Sequence, residues 1–574
     1  MRDDRLGATP RDDGSCEFRV WAPWAERVTV ALADERREPL EPGEHGYHHG
    51  RVAGVAAGDR YAVLLDDDPL ELPDPASASQ PDGVHGWSQV VDHRAYAWGD
   101  DAWRGRPLEE YVIYELHVGT FTPEGTFDAV IGRLDELAED GITAIELLPV
   151  AQFPGGRNWG YDGVDLYAAQ STYGGPEVLR RLVDAAHAHG IAIIVDVVYN
   201  HLGPEGNYLG KFGPYFTSQH HTPWGDAVNV DGPGSDEVRR FFIENALQWV
   251  CDFHADALRL DAIHGILDTS AHPFLAELTE AVEWEAARAE RSVHVIAESD
   301  LNDVRVITPR EAGGLGCHSQ WTDDFHHALH VALTGELRGY YADFDDPVER
   351  LAESLRRGFV YTGQRSRHRD RRFGSDSSGL PGERFVVYAQ NHDQVGNRLL
   401  GDRLAATLEP AAQRVALAAV LLSPFVPMLF MGEEYGEVRP FPYFTSHGDP
   451  QLVAAVRKGR REEFAHFGFE GEAPDPQGEE TFCAAVLDWD ARREGRHAEL
   501  LSYTRELLRL RREHPSIRTM PELADVTVDG RVLTIERGAA GERTRLVIDF
   551  DAYDVTLEQI MPRSEVLLGA GVPA

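Results

Sequence analysis

Ala257-Leu258-Arg259-Leu260-Asp261-Ala262-Ile263-His264 is a run of strand length that ends on a carboxylate. Two further stretches repeat the pattern: Val293-His-Val-Ile-Ala-Glu298-Ser-Asp and Val386-Val-Tyr-Ala-Gln-Asn-His-Asp393. The three acids Asp261, Glu298 and Asp393 are separated by 37 and 95 residues, so only the tertiary fold can bring them together. If the apolar runs are neighbouring parallel strands, their ends project into one mouth, where a barrel of such strands places its chemistry.

From residue 111 onward, strand-like runs are separated by amphipathic helical stretches of ten or more residues. The runs are Val112–Leu116, Ala144–Leu148, Ala192–Val197, Ala257–Asp261, His294–Ala297, Ser319–Thr322, Phe385–Gln390 and Met428–Met431. Strand alternating with helix predicts parallel strands joined by right-handed crossovers, and eight of them close a (β/α)8 TIM barrel. Helices are predicted from Glu177 to His189, ended by Gly190, from Ser235 to Phe253 with Ser235 as N-cap, and from Ala498 to His514 on the outer ring. The Gly-, Pro- and aromatic-rich insertion at 199–233 follows the third strand and is expected to wall a cleft over the mouth.

The first 95 residues alternate in short apolar pieces broken by Gly, Pro and Asp, the pattern of a small β-sandwich. A turn-rich connector at 73–83 follows it. The tail carries Val526-Thr-Val, Arg531-Val-Leu-Thr-Ile and Leu546-Val-Ile-Asp-Phe, read as a second, smaller sandwich. The expected domains are therefore an immunoglobulin-like N-terminal β-sandwich at 1–98, the barrel at 99–515 and a C-terminal β domain at 516–574, an α/β protein overall.

Composition narrows the function classes. Net charge is −41, and of 55 basic residues only Lys211 and Lys458 are lysine. Such a field repels phosphate backbones and anionic lipid, so neither nucleic acid nor a membrane surface is an expected partner, and a neutral substrate fits better. Cys16, Cys251, Cys317 and Cys483 are dispersed, with no metal or redox spacing. The N-terminus lacks the apolar core of a secretory signal, and Val415–Met431 is interrupted by Ser423, Pro424 and Pro427, so a helix, a turn and a strand are expected there. A cytoplasmic location is the resulting expectation.

Cleaving an acetal between two sugars requires a protonated acid at the leaving oxygen and an ionised carboxylate at the anomeric carbon. Arg259 lies two residues before Asp261 and so on the same strand face, which favours an ionised Asp261. Glu298 follows Val-Ile-Ala, where partial burial would raise its pKa towards that of a general acid. Asp393, beside His392, is placed to hold sugar hydroxyls.

At these residues the chain resembles the α-amylase superfamily of glycosidases. Asp196-Val-Val-Tyr-Asn-His201, Ala257–His264, Ile296-Ala-Glu-Ser299 and Asn391-His-Asp-Gln394 look like its four signature segments, in order. The resemblance implies a retaining mechanism with Asp261 as nucleophile, Glu298 as acid/base and Asp393 as transition-state stabiliser. It further implies sugar contacts from Arg259, His201 and His392, and from Tyr161 beside Asp162. His264, Asn391 and Gln394 belong to the same substrate-contact set.

Within that superfamily, Gln320-Trp-Thr-Asp-Asp-Phe-His-His327, Asn391–Arg398 and Met431-Gly-Glu-Glu434 look like the maltooligosyltrehalose trehalohydrolase family. This implies hydrolysis of the α-1,4 bond next to a terminal trehalose unit, with Asp323, Asp324, Phe325, His326 and His327 lining the departing disaccharide. A maltooligosyltrehalose synthase is the implied pathway neighbour. No cofactor and no metal are expected: Asn200 resembles a calcium ligand of some amylases, yet no carboxylate-rich loop accompanies it, and a hydrogen-bonding role is preferred. Asp196 is expected to orient its neighbours. The alternatives are a 1,4-α-glucan branching enzyme, a transferase with the same four segments, and a non-catalytic α-glucan-binding protein.

Overall fold

The computed structural model describes residues 5–466, 471–518, 524–538, 542–561 and 565–568. Its centre is a closed barrel of eight parallel strands: β1 (Ile113–Leu116), β2 (Ala144–Leu147), β3 (Ala192–Val197), β4 (Ala257–Leu260), β5 (His294–Ala297), β6 (Ser319–Trp321), β7 (Phe385–Val387) and β8 (Val426–Phe430). β8 closes on β1 with Leu429 opposite Tyr114. All eight runs named above are barrel strands. They are buried on both faces, as strands covered by crossover helices must be.

Alternation along the strands sorts the interior into layers. Ile113, Ala144, Ile194, Ala257, Ile296, Val386 and Met428 pack as one apolar plug inside the barrel. Two residues further along each strand the same face carries Glu115, Glu146, Asp196, Arg259 and Glu298. The lower layer supplies hydrophobic packing and the upper layer gathers charge at the C-terminal rim.

The helix Gly175–Ala188 ends with Gly190 at φ +72°. The helix Ser235–Asp252 begins after Gly234 (φ +83°), which occupies the N-cap with no side-chain cap bond. The expectation that Ser235 caps it is thus corrected: Ser235 is already helical, and the chain enters through a left-handed glycine instead. The stretch Val415–Met431 divides into the end of the helix Pro410–Leu421 and strand β8. Among the described residues, no helix is long and apolar enough to cross a membrane.

Before the barrel, two four-stranded antiparallel sheets face each other: Gly7–Pro10, Ser15–Trp21, Tyr47–Ala53 and Glu41–Pro42 in one, Arg37–Pro39, Val28–Leu32, Arg60–Leu65 and Ser88–Gln89 in the other. After the barrel, Asp525–Asp529, Val532–Arg537, Arg543–Asp549, Asp554–Met561 and Glu565–Leu568 form a single five-stranded sheet. The barrel helices Pro347–Arg357 and Pro410–Leu421 contact this sheet and act as its second layer. The insertion after β3 carries a hairpin, Phe216–Thr222 with Gly225–Val228.

Candidate active site

Arg259 organises the rim. Its side chain is almost wholly buried, with its guanidinium 4.3 Å over the ring of Trp321. Nη1 donates to Asp196 Oδ1 and Oδ2 at 3.0 and 2.9 Å and to Asp261 Oδ1 at 2.8 Å, while Nη2 lies 3.6 Å from Glu298 Oε2. One guanidinium therefore touches both Asp261 and Glu298. The second oxygen of Asp261 accepts from Asn200 Nδ2 at 2.7 Å, and the same amide reaches the Asp261 carbonyl at 2.7 Å. Asn200 thus has the hydrogen-bonding role preferred above, and with Arg259 it leaves Asp261 little freedom.

Glu298 Oε2 accepts from the backbone N–H of Ala262 at 2.6 Å. Ala262 holds that amide in place from a left-handed conformation, φ +38°, which an L-residue adopts at a cost. Burial pushes the Glu298 carboxyl well above its ordinary range; the opposing Arg259 charge is outweighed, with Asp261 and Asp323 adding like-charge pressure. Asp196 is raised to about 6, burial again the largest cause, with Arg259 opposing and Asp261 adding to it. The rim thus sets a carboxyl pushed upward, Glu298, beside the ion-paired Asp261.

Asp393 is exposed in the first turn of the short helix His392–Gly396. The Asn391 side chain accepts from the N–H groups of Asp393 and Gln394 at 3.0 Å each, and Asn397 donates to Asp393 Oδ1 at 2.9 Å. Gln394, the next residue of that helix, donates to Asp323 at 3.0 Å, which sets the helix beside Asp323. Tyr161 donates to Asp196 Oδ2 at 2.7 Å and lies 2.8 Å from His392 Nε2. His201 meets Asn200, and its Nε2 lies 3.0 Å from the Tyr161 carbonyl; burial lowers its pKa. His264 is partly exposed, with Nδ1 3.9 Å from Asp300.

The segment after β6 divides. Asp323 reaches the rim, where Tyr388 donates to it at 2.6 Å and Gln394 at 3.0 Å; burial raises it to about 7 despite the Tyr388 bond, and Asp393 and Asp300 add to the rise. The next residues turn away. Asp324 accepts from Asn302 and from the N–H groups of Val360 and Tyr361, between 2.7 and 3.0 Å. Phe325 has no exposed surface and packs on Phe425 with ring centroids 6.2 Å apart. His326 is buried, with Nδ1 2.7 Å from the Ala389 carbonyl and Nε2 2.9 Å from Tyr341 OH. His327 is partly exposed and packs beside Tyr340 at 4.7 Å. On the helix Asp323–Thr334, Asp324 and Phe325 rotate into the core, whereas His326 lines a cavity that Gln394 and Arg398 also line.

Four residues of the rim had no place in the sequence reading: Glu115, Glu146, Tyr388 and Trp224. Glu115 and Glu146 did carry a signal, a carboxylate inside an otherwise apolar barrel strand. Glu146 is buried and held well above the ordinary carboxylate range, by burial first and then by the charge of Glu115. Trp224, at the tip of the insertion hairpin, stacks on His201 with centroids 4.7 Å apart and planes 6° apart.

A closed parallel barrel with this acid pair at its C-terminal rim defines a glycosidase of the α-amylase class, and the sequence profile of the α-amylase catalytic domain matches residues 73–225. The profile of carbohydrate-binding module 48, the isoamylase N-terminal domain, matches residues 5–69. Similar proteins include three named malto-oligosyltrehalose trehalohydrolase. That of Arthrobacter ramosus is 49% identical over 503 residues, 87% of each chain. That of Saccharolobus solfataricus is 46% identical over 503 residues, 88% of this chain and 86% of the relative. That of Rhizobium sp. is 45% identical over 567 residues, 97% and 94%. A crystal structure described as a putative alpha amylase from Salmonella typhimurium superposes with a TM-score of 0.89 at 41% identity, over 96% of this chain and 94% of that one. The chain belongs to the malto-oligosyltrehalose trehalohydrolase family.

Proposed function

We propose that this protein releases trehalose from maltooligosyltrehalose by hydrolysing the α-1,4 bond next to the terminal trehalose unit, with retention of anomeric configuration. The observation that carries the reading is the Arg259 guanidinium between an ion-paired Asp261 and a Glu298 that burial keeps neutral. Glu298 protonates the departing glycosidic oxygen as Asp261 attacks the anomeric carbon, forming a glycosyl ester. Glu298, now ionised, takes a proton from water, which cleaves the ester. Asp393 faces the positive charge that develops on the ring, and Tyr161, His201, Arg259, His264, Asp323, His327, Asn391, His392 and Gln394 are the residues from which substrate contacts are drawn.

The substrate assignment is supported by the 42–49% identity to trehalohydrolases over most of the chain. The branching-enzyme reading is weaker, since the branching enzyme of Corynebacterium jeikeium is 33% identical over only 55% of this chain. A cytoplasmic location fits the dispersed placing of Cys16, Cys251, Cys317 and Cys483, with no redox or metal spacing among them, and a maltooligosyltrehalose-forming enzyme would act upstream. Incubation with maltooligosyltrehalose should yield free trehalose, and Asp261→Asn or Glu298→Gln should lose at least ~10³-fold in kcat with folding intact. New α-1,6 branches from amylose, or a variant with normal turnover, would overturn the reading.

A further inference from the structure

The carboxylate of Glu115 sits at the inner face of β1, with no assigned task in the steps above, and grips His392 from behind. Its Oε2 accepts from the His392 backbone N–H at 2.9 Å, and its Oε1 meets ring Nδ1 in a short contact. Both groups are buried, the Glu115 side chain completely and that of His392 with only 3% exposed. On the other side of the ring, Nε2 lies 2.8 Å from Tyr161 OH. The Tyr161 hydroxyl has one proton, and it is given to Asp196 Oδ2 at 2.7 Å. Towards His392 the hydroxyl can then only accept, so Nε2 must carry a hydrogen. A carboxylate also only accepts, so Nδ1 facing Glu115 carries one as well.

We propose that Glu115 is a positioning residue of the hydrolytic reaction, holding His392 doubly protonated so that its outer N–H fixes Tyr161 and, through Asp196 and Arg259, the carboxylate of Asp261. The proposal rests on the catalytic roles given above. The chain of contacts is continuous: Glu115 to His392, His392 to Tyr161, Tyr161 to Asp196, Asp196 to Arg259 and Arg259 to Asp261. Each link but the first lies at 2.7–2.9 Å. In a dry interior such links have few alternatives, so a change of proton count at one end is felt at the other. The groups that face His392 agree with a cation there. Burial opposes it, but Glu115 and Asp393 more than offset both that and the repulsion from Arg259. Its charge in turn lowers Asp196 and His117, while Glu146 stands behind Glu115. Trp159 contributes only its ring, 5.5 Å from the imidazole and perpendicular to it.

The test is the pH profile of Glu115→Gln in the full chain, with maltooligosyltrehalose as substrate. The amide keeps shape and one acceptor but removes the charge, so His392 should lose a proton at neutral pH. Expected is a fall in kcat of about tenfold at pH 7.5, comparable to one unit of pKa. The loss, read as the ratio of variant to parent kcat so that the titration of Asp196 and Asp323 common to both cancels, should recover as pH drops towards 5.5, where His392 recharges. A variant whose profile parallels the parent's at every pH would mean a merely structural role and overturn the proposal. If the variant does not fold, ¹⁵N-histidine spectra of the parent decide: both ring nitrogens of His392 protonated at pH 7.5 is the expected result, and a neutral tautomer overturns it. Asp261→Asn, run alongside, separates the two readings, because its retained activity would overturn the catalytic roles whatever Glu115→Gln does.

Discussion

At the scale of single residues, the proposed acid/base role of Glu298 depends on the upward push on its carboxyl from burial and from two other carboxylates. Asp323 is one source of that pressure, and it acts across the rim where Tyr388 and Gln394 hold it. Removing its charge in Asp323→Asn should lower the Glu298 pKa, so the alkaline limb of kcat/KM moves to lower pH; kinetics between pH 6 and 9 check this. An unmoved limb would mean that burial and Asp261 suffice. Asp261 and Glu298 were legible in the sequence because each ends an apolar run, and Arg259 because side chains alternate with period two. Glu115 and Glu146 were passed over because they lie inside their runs, where the pattern reads as core. Phe325 lies two residues after Asp323, about 200° round the helix, and so faces the core rather than the rim, a rotation that spacing along the sequence does not reveal.

At the scale of elements, the bend after β4 does more than end a strand. Ala262 turns left-handed, and its N–H then points at Glu298 on the neighbouring strand's end. A β-branched residue tolerates that conformation poorly. Ala262 already carries the cost of about 1–2 kcal/mol that the left-handed region imposes on an L-residue, so Ala262→Gly should raise the unfolding free energy by up to that amount and keep turnover. Ala262→Val adds a β-branched side chain there and should lower both the unfolding free energy and kcat, the latter through the displaced amide. Urea melts and turnover on the two variants check this, and a valine variant normal in both would show that the bend relaxes. The eight strands were readable as runs of four to six apolar residues, whereas helix entries were not: Gly234 caps the helix Ser235–Asp252, and a serine in the next position drew the boundary one residue late.

Across the whole molecule, the net charge of −41 coexists with buried carboxyls kept neutral by the fold. Burial raises Glu433 to about 8 and Glu434 to about 7, although each has hydrogen-bond donors beside it. Unfolded, both would release their protons near 4.5, so the folded state binds more protons above that value and loses stability as pH rises towards 8. Buried histidines work the other way. His93 and His117 are lowered to about 4 by burial, so they weaken the fold only as pH falls below 6.5. Between pH 6.5 and 8 these carboxyls and His392, whose folded-state pKa is also raised, act in the same direction, so the unfolding free energy should fall as pH rises, by up to about 1.4 kcal/mol per pH unit for each proton, and the melting temperature with it. Glu433→Gln should flatten that slope, which calorimetry at pH 6.5, 7.25 and 8 measures; an unchanged slope would place the proton elsewhere. At this scale the barrel and its N-terminal sandwich were legible from alternation alone. The C-terminal sheet was not fully so, because its second layer comes from the barrel helices Pro347–Arg357 and Pro410–Leu421, distant in sequence from its own strands.

The proposed retaining mechanism requires Asp261 to form a covalent bond to the sugar. Mass spectrometry of the protein after reaction with a fluorinated glucosyl fluoride, followed by peptide mapping, measures this directly. The predicted result is one glycosyl adduct on the peptide that carries Asp261, absent in Asp261→Asn. Steady hydrolysis with no adduct and an inverted anomer, or an adduct on another carboxylate, would contradict it.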